Sequence, residues 1–411
     1  MLNQVNKQHI RVAQNASGRS MNVPVYHIIG QRPGPKVYIQ SSIHGAEVQG
    51  NVVIYHLIQW LQAMPICGEI VLVPNCNPVG TNIKAGEYTL GRFDPVNGTN
   101  WNRGYYYDPE QIAAFVNTVT AEESVSSIKQ RFRDHLRTAI ANKLASPWGL
   151  GLAQQLNLRL QQLALDADFV LDLHNGPVST RHIYIPEYAR ESARAFNFPH
   201  CIFIPNVFAG ALDEASFCPW WTLTDSLNQR DNRDIDFGIE AFTLEMGSQE
   251  VIDFAEGEID ARSIISYLTV KGLLPESQVS PAVMDRIGVA LKDYKTLFTR
   301  WGGMVEYCAR PGQHVKQGEL LARVLNIDEL DNDKGSHDIL APCDLIPMLH
   351  FPSASVLSGT QLYKCFTEYF YLTRQQGDRV GGSFATPVLS HHRAYGSVPR
   401  RFLSVLTIVN T

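Results

Sequence analysis

Apolar positions in the first 250 residues recur with two different periods. Short, nearly continuous apolar runs at 24–29, 36–41, 69–74, 168–173, 182–185, 201–205 and 239–245 have the length of strands buried on both faces. Between them, segments 46–63, 109–117, 122–144 and 153–165 place apolar residues at helical spacing. Strands separated by helices predict an α/β fold: a mixed, largely parallel sheet with helices on both faces. In such sheets ligands bind at the carboxyl ends of the strands.

After a helical and polar connector at 261–297, the pattern changes near Trp301. Segments 303–322 and 344–363 repeat each other at a constant offset of 41, matching Val305 with Ile346, Tyr307 with Met348, Val315 with Val356, Gly318 with Gly359 and Leu321 with Leu362. Two copies of a strand-turn-strand unit predict a smaller all-β barrel or sandwich. The chain then divides unequally into a domain at 1–290 and a β-rich one at 291–411. The repeat resembles a lipoyl/biotinyl-like half-barrel, with Lys334 between the copies in a loop longer than the carrier pattern. A structural role, in the rim of the site or in contacts between copies in a homo-oligomer, is the expectation for this unit.

Composition narrows the classes. With 35 Lys and Arg against 40 Asp and Glu the net charge is −5, so nucleic acid is a poor partner. The 45% hydrophobic content supplies a large core. No run reaches the ~18 apolar residues of a membrane span, and residues 1–20 lack a signal-peptide core. A cytoplasmic protein without a membrane partner is expected. Seven widely spaced cysteines without a CxxC pair suggest neither a disulfide framework nor a thiolate zinc site.

The chemistry gathers at strand ends. The run 37–43 ends in His44-Gly45-Ala46-Glu47, where the helical pattern starts, which predicts both side chains in the first helical turn and on one side. An imidazole and a carboxylate so placed can bind one metal ion; a plain helix start with an early glutamate is the alternative that these four residues leave open. At 127 residues after Glu47, the apolar run 168–173 passes into His174-Asn175-Gly176. Two histidines and a glutamate are the ligand set of a catalytic zinc site that keeps its fourth position for water. A third polar strand end, Thr243-Leu244-Glu245-Met246-Gly247, offers a carboxylate to take that water's proton and pass it to a leaving nitrogen. Between the ligands lies Asn100-Trp101-Asn102-Arg103, preceded by Arg92; a guanidinium presents two parallel donors to a carboxylate. Asp172 shares a strand face with His174, where it either orients the imidazole or caps a neighbouring loop.

Taken in order, His44-x-x-Glu47, Asn102-Arg103, Asp172-Leu173-His174 and Thr243-x-Glu245-x-Gly247 resemble the succinylglutamate desuccinylase/aspartoacylase family, a branch of the zinc carboxypeptidase-like hydrolases. The resemblance spans residues 20–260. It implies one Zn2+ per chain held by His44, Glu47 and His174, with Glu245 as catalytic base and acid and with Asn102 and Arg103 binding a substrate carboxylate. It also implies a carbonyl-polarising arginine, for which Arg92, 11 residues before Arg103, is the nearest candidate. The expected substrate is a small N-acyl amino acid with a carboxylate. All of these groups lie in the first domain. This chain departs from the pattern with Asn100 in place of an Asp and with a helical insertion at 122–148, expected at the rim of the site.

A metallocarboxypeptidase and a non-catalytic binding protein on the same fold are the alternatives. HExxH, P-loop lysine and GxGxxG motifs are absent, and Gly381-Gly382-Ser383-Phe384-Ala385 is an incomplete GxSxG. His391-His392 has no ligand-type neighbour at metal spacing and is expected to be a solvated turn.

Overall fold

A computed structural model of the chain describes residues 3–275 and 286–372; Gly381 to Ala385, His391 and His392 lie outside the described residues. The centre is a ten-stranded sheet in the order Val5–Gln14, Ser20–Ile29, Cys67–Val73, Arg32–Ser41, Phe169–Gly176, Glu240–Ser248, Arg181–Pro186, His200–Ile204, Arg286–Ala290, Phe370–Leu372. Cys67–Val73, Arg32–Ser41, Phe169–Gly176 and Glu240–Ser248 run parallel, and Arg181–Pro186 enters antiparallel beside the last of them. The fold class read from the sequence is the one observed, a mixed and mostly parallel sheet with helices, followed by antiparallel β-sheets.

Alternation along the central strands sends successive residues to opposite faces. Ile39, Leu171 and Leu244 join Val53, Leu57, Ile264 and Leu268 of helices Gln49–Leu61 and Phe254–Val270 in one core. The other face starts equally apolar, with Val170 and Ala241 packed on Leu156, Leu160 and Ala215 of helices Leu152–Ala164 and Leu212–Asp231. Toward the carboxyl ends this second face turns polar, because it carries Gln40, Asp172, His174, Thr243 and Glu245. That switch places the site.

Several elements differ from the pattern. Val5–Gln14 and Leu212–Asp231 form without a clean period: the first is an edge strand with mostly exposed side chains, and the second carries Pro219 and is apolar on several sides. The connector expected to be helical and polar contains strands Arg286–Ala290 and Tyr294–Phe298, paired with Phe370–Leu372 and Gln361–Phe366. The insertion helix Val125–Leu144 runs from the amino end of the His174 strand, and its far half packs Ala139 and Ile140 on Tyr106, three residues after Arg103. Its Lys129 and Arg133 pair with Asp168 at 2.7 and 2.8 Å, at the amino end of the His174 strand. Six residues of strand, ~20 Å, separate that point from His174.

The internal repeat holds in three dimensions. Leu320–Leu325 and Gln361–Phe366 coincide at the offset of 41, and Gly318 and Gly359 both adopt the left-handed region, φ 83° and 82°. Each copy pairs its own two strands, Gly303–Tyr307 with Leu320–Leu325 and Ile346–His350 with Gln361–Phe366, in separate sheets. The second sheet also takes in Val178–Ser179, just beyond the His174 strand. These elements belong to one compact unit.

Candidate active site

Strand Arg32–Ser41 leaves the sheet through Ser42, a non-glycine residue at φ 66°. Such strain persists where surroundings fix it: Ser42 Oγ donates to the Glu47 carbonyl at 2.9 Å and accepts from Asn51 Nδ2 at 2.9 Å. The Glu47 amide closes the turn on the His44 carbonyl at 3.0 Å, and the helix starts only at Gln49. His44 and Glu47 therefore sit in a turn before the helix, a correction to the first-turn expectation. Both still point inward, His44 Nδ1 lying 2.9 Å from Glu47 Oε1. Gly45 allows this turn to touch two other backbones, since a Cβ there would lie 2.1 Å from the Gly80 carbonyl carbon. Its amide donates to the Gly91 carbonyl at 2.8 Å, which brings Arg92 to the site.

His174 reaches the same point from the neighbouring strand, with Nδ1 2.7 Å from Glu47 Oε2. His44, Glu47 and His174 are 4%, 1% and 3% exposed, and their ligand atoms lie within 4.8 Å of one another. The outer ring nitrogens decide the tautomers. His44 Nε2 lies 2.8 Å from Asn100 Oδ1, an oxygen that also accepts the Asn102 amide at 2.9 Å. His174 Nε2 lies 2.9 Å from Asp172 Oδ2. Both Nε2 atoms therefore donate, leaving two bare Nδ1 lone pairs aimed at one carboxylate. Lone pair against lone pair repels unless a positive centre lies between them, so this donor set fits a metal ion such as zinc. In the metal-free chain a proton takes that place: burial alone would lower the His174 pKa, but the Asp172 and Glu47 carboxylates hold it well above the usual value. Burial likewise pushes Glu47 up, and the two histidines outweigh it and hold the carboxyl well below its ordinary range.

Glu245 stands beside this cluster, in register with His174 on one side and His182 on the other. Its Oε2 is buried without a hydrogen-bond partner. Burial and the Glu47 charge push its pKa up to about 7. Arg92, with its side chain 51% exposed, donates from Nη1 to Glu47 Oε1 at 3.0 Å. Asn102 is buried, with Nδ2 3.2 Å from His174 Nε2 and Oδ1 accepting the Leu212 amide at 3.3 Å. Arg103 is exposed, and its Nη1 folds onto the carbonyl of Asn102 at 2.6 Å. The structure thus gathers His44, Glu47, His174, Glu245, Arg92 and Asn102, while the guanidinium of Arg103 stays at the periphery.

Two contributions escaped the sequence reading. Asn100, a departure from the family pattern, fixes the His44 tautomer. Lys364, from strand Gln361–Phe366 of the C-terminal unit, is a cation that the sequence did not single out. It is half-buried, has no hydrogen-bond or ion-pair partner among the described residues, and its Nζ lies 5.4 Å from the Tyr294 ring centroid. That ring meets His182 and Tyr184 at 6.4 and 6.5 Å. Burial and the charge of Arg92 lower the Lys364 pKa while Glu245 raises it, so the ammonium lies within electrostatic reach of both. The available signal was a single cation in the apolar run Leu362-Tyr363-Lys364-Cys365-Phe366.

The model of the succinylglutamate desuccinylase/aspartoacylase catalytic domain matches residues 33–270. Among solved structures, a protein assigned as a succinylglutamate desuccinylase/aspartoacylase from Shewanella frigidimarina NCIMB 400 superposes with a TM-score of 0.88 at 41% identity, covering 91% of this chain and 100% of that one. A succinylglutamate desuccinylase/aspartoacylase family protein from Shewanella amazonensis SB2B gives 0.85 at 42% identity, covering 90% and 100%. The succinylglutamate desuccinylase/aspartoacylase from Rhodobacter sphaeroides shares the fold at 18% identity, with a TM-score of 0.62 over 90% of this chain and 96% of that one. The search of curated proteins found no match.

Proposed function

Because the chain belongs to the succinylglutamate desuccinylase/aspartoacylase family, we propose that it is a zinc-dependent amidohydrolase removing the acyl group from a small N-acyl amino acid that carries a carboxylate. The observation that carries this reading is the convergence of His44 Nδ1, both Glu47 oxygens and His174 Nδ1 beside a half-buried Glu245 whose Oε2 is buried without a partner.

His44, Glu47 and His174 would hold the ion, which supplies Lewis acidity toward water and a carbonyl oxygen. Glu245 takes a proton from the attacking water and returns it to the departing nitrogen as the C–N bond breaks and the C–O bond forms. Burial raises this carboxyl above its ordinary range, which suits a group that both takes and returns a proton near neutral pH. The Arg92 guanidinium stabilises charge developing on the carbonyl oxygen. Lys364, and Arg103 if its guanidinium leaves the Asn102 carbonyl, would offer cations to the substrate carboxylate, while Asn102 braces His174. The buried ligands, and Lys364 and Tyr294 closing in from the C-terminal sheet, favour a small substrate over a peptide.

Metal analysis of the purified protein, followed by assay on a panel of N-acyl amino acids, tests this reading. One zinc per chain is expected, with hydrolysis that disappears in Glu245→Gln. Failure to take up stoichiometric zinc after reconstitution would remove the metal assignment, and turnover surviving in Glu245→Gln would remove the base. An unchanged KM for an acidic substrate in Arg103→Ala would exclude that arginine from the carboxylate grip.

A further inference from the structure

A column of buried polar groups descends from His174 into the sheet. Asp172 is fully buried and uses both carboxylate oxygens. Its Oδ2 faces His174 Nε2 at 2.9 Å, and its Oδ1 accepts from Gln40 Nε2 at 2.9 Å. The column continues where Tyr38 Oη donates to Gln40 Oε1 at 2.9 Å. Gln40 and Tyr38 are also fully buried. Gln40 lies opposite Asp172 in the parallel register of strands Arg32–Ser41 and Phe169–Gly176, so both side chains stand on one face.

The hydrogen bonds of Tyr38, Gln40 and Asp172 give this column a direction. Burial, reinforced by the Asp172 charge, pushes the Tyr38 phenol well above its ordinary value, so it keeps its proton. A phenol that donates must meet the amide oxygen of Gln40, which forces the NH2 of Gln40 toward Asp172. Asp172 held by that donor keeps its second oxygen for the His174 Nε2–H. His174 is thereby locked as the tautomer whose bare Nδ1 faces Glu47. A side chain chosen only to fill this space would be apolar, as Ile39 and Leu171 are on the opposite face; a buried glutamine flanked by a tyrosine and a carboxylate needs each partner to be satisfied.

We propose that Gln40, oriented by Tyr38, is a positioning residue for metal binding: it fixes the Asp172 carboxylate that sets the tautomer and orientation of the ligand His174. The proposal rests on the metal assignment of the proposed function and extends it two residues below the ligands. Removing an outer partner of a metal ligand typically weakens binding 10–100-fold.

The test is zinc affinity, measured by competition with a chromophoric chelator, with the thermal transition of the metal-free protein recorded beside it. Gln40→Met keeps the volume and removes the donor; its zinc Kd is expected to rise about tenfold or more. Tyr38→Phe keeps the ring and releases the amide to flip, with a smaller rise expected. A lower apo Tm together with an unchanged zinc Kd in either folded variant marks a merely structural column and overturns the proposal. Should Gln40→Met fail to fold, Tyr38→Phe decides alone, a raised Kd supporting the proposal and an unchanged one overturning it. The failure modes separate: wild-type protein that binds no zinc defeats the metal assignment, whereas tight wild-type binding with unaltered variants defeats only the role of Gln40.

Discussion

Asp168 and Glu245 are two half-buried carboxylates at opposite ends of adjacent strands, and the sheet treats them oppositely. Asp168, at the amino end, accepts from Lys129, Arg133 and the Lys36 amide at 2.7, 2.8 and 2.9 Å. Burial pushes its pKa up, and the donors outweigh this and lower it. Glu245, at the carboxyl end, keeps an oxygen without a partner and is pushed up to about 7 by burial and the Glu47 charge. A carboxylate that holds structure together is surrounded by donors; one kept for proton transfer is left short of them. The fold accepts that cost where the chemistry needs it.

Exchange of each carboxylate for its amide breaks this comparison most sharply. Glu245→Gln is expected to lower kcat about 10²–10⁴-fold with the fold intact, while Asp168→Asn leaves kcat near wild type. Steady-state kinetics on the pair measure it, and a large kcat loss in Asp168→Asn would show that the two ends do not divide structure from chemistry. Arg92→Ala is next, with kcat reduced about 100-fold and KM little altered if its guanidinium acts on the developing oxyanion; an effect confined to KM would make it a binding group. Lys364→Ala is expected to raise KM about tenfold for a carboxylate-bearing substrate, the loss of one charge-assisted hydrogen bond, and to leave KM unchanged for the corresponding amide. Equal effects on both substrates would show that Lys364 meets no carboxylate.

The division between the two ends was partly legible in the sequence. His174 and Glu245 stood out because each follows a run of apolar residues that alternation alone would have continued, and His44 and Glu47 because a polar turn interrupts strand and helix periods. Asn100 and Gln40 did not stand out: their meaning depends on which ring nitrogen or carboxylate oxygen they face, a geometry without a period. Lys364 was hidden by distance, since tertiary contacts, among them the pairing of Ile346–His350 with Val178–Ser179 and the packing of Tyr294 on His182 and Tyr184, bring the C-terminal sheet beside the site. The anchor of the insertion helix was hidden for the same reason, because Lys129 and Arg133 find their partner at Asp168 through packing that helical periodicity does not encode.

The gentlest prediction is thermodynamic and returns to the same two residues in metal-free protein. Glu245 has a folded pKa of about 7 against an ordinary 4.5, so the folded state binds its proton more tightly than the unfolded chain does. Its contribution to stability is complete below pH 4.5 and is lost as pH rises through about 7, on the order of 1 kcal/mol per pH unit. Gln at this position does not titrate, so Glu245→Gln should melt with wild type in acid and a few degrees above it beyond neutrality. Asp168 has the opposite sign. Its lowered pKa contributes stability above the unfolded value of 3.8 that is lost as pH falls through the folded one. Asp168→Asn should therefore melt below wild type at neutral pH, by ~1 kcal/mol for a partly solvated ion pair, and approach it in acid. Calorimetric scans of the three proteins across pH 3–8, buffered with chelator, distinguish the outcomes. Parallel Tm curves for wild type and Glu245→Gln would mean that Glu245 is not held protonated by its surroundings, and the contrast with Asp168 would reduce to position alone.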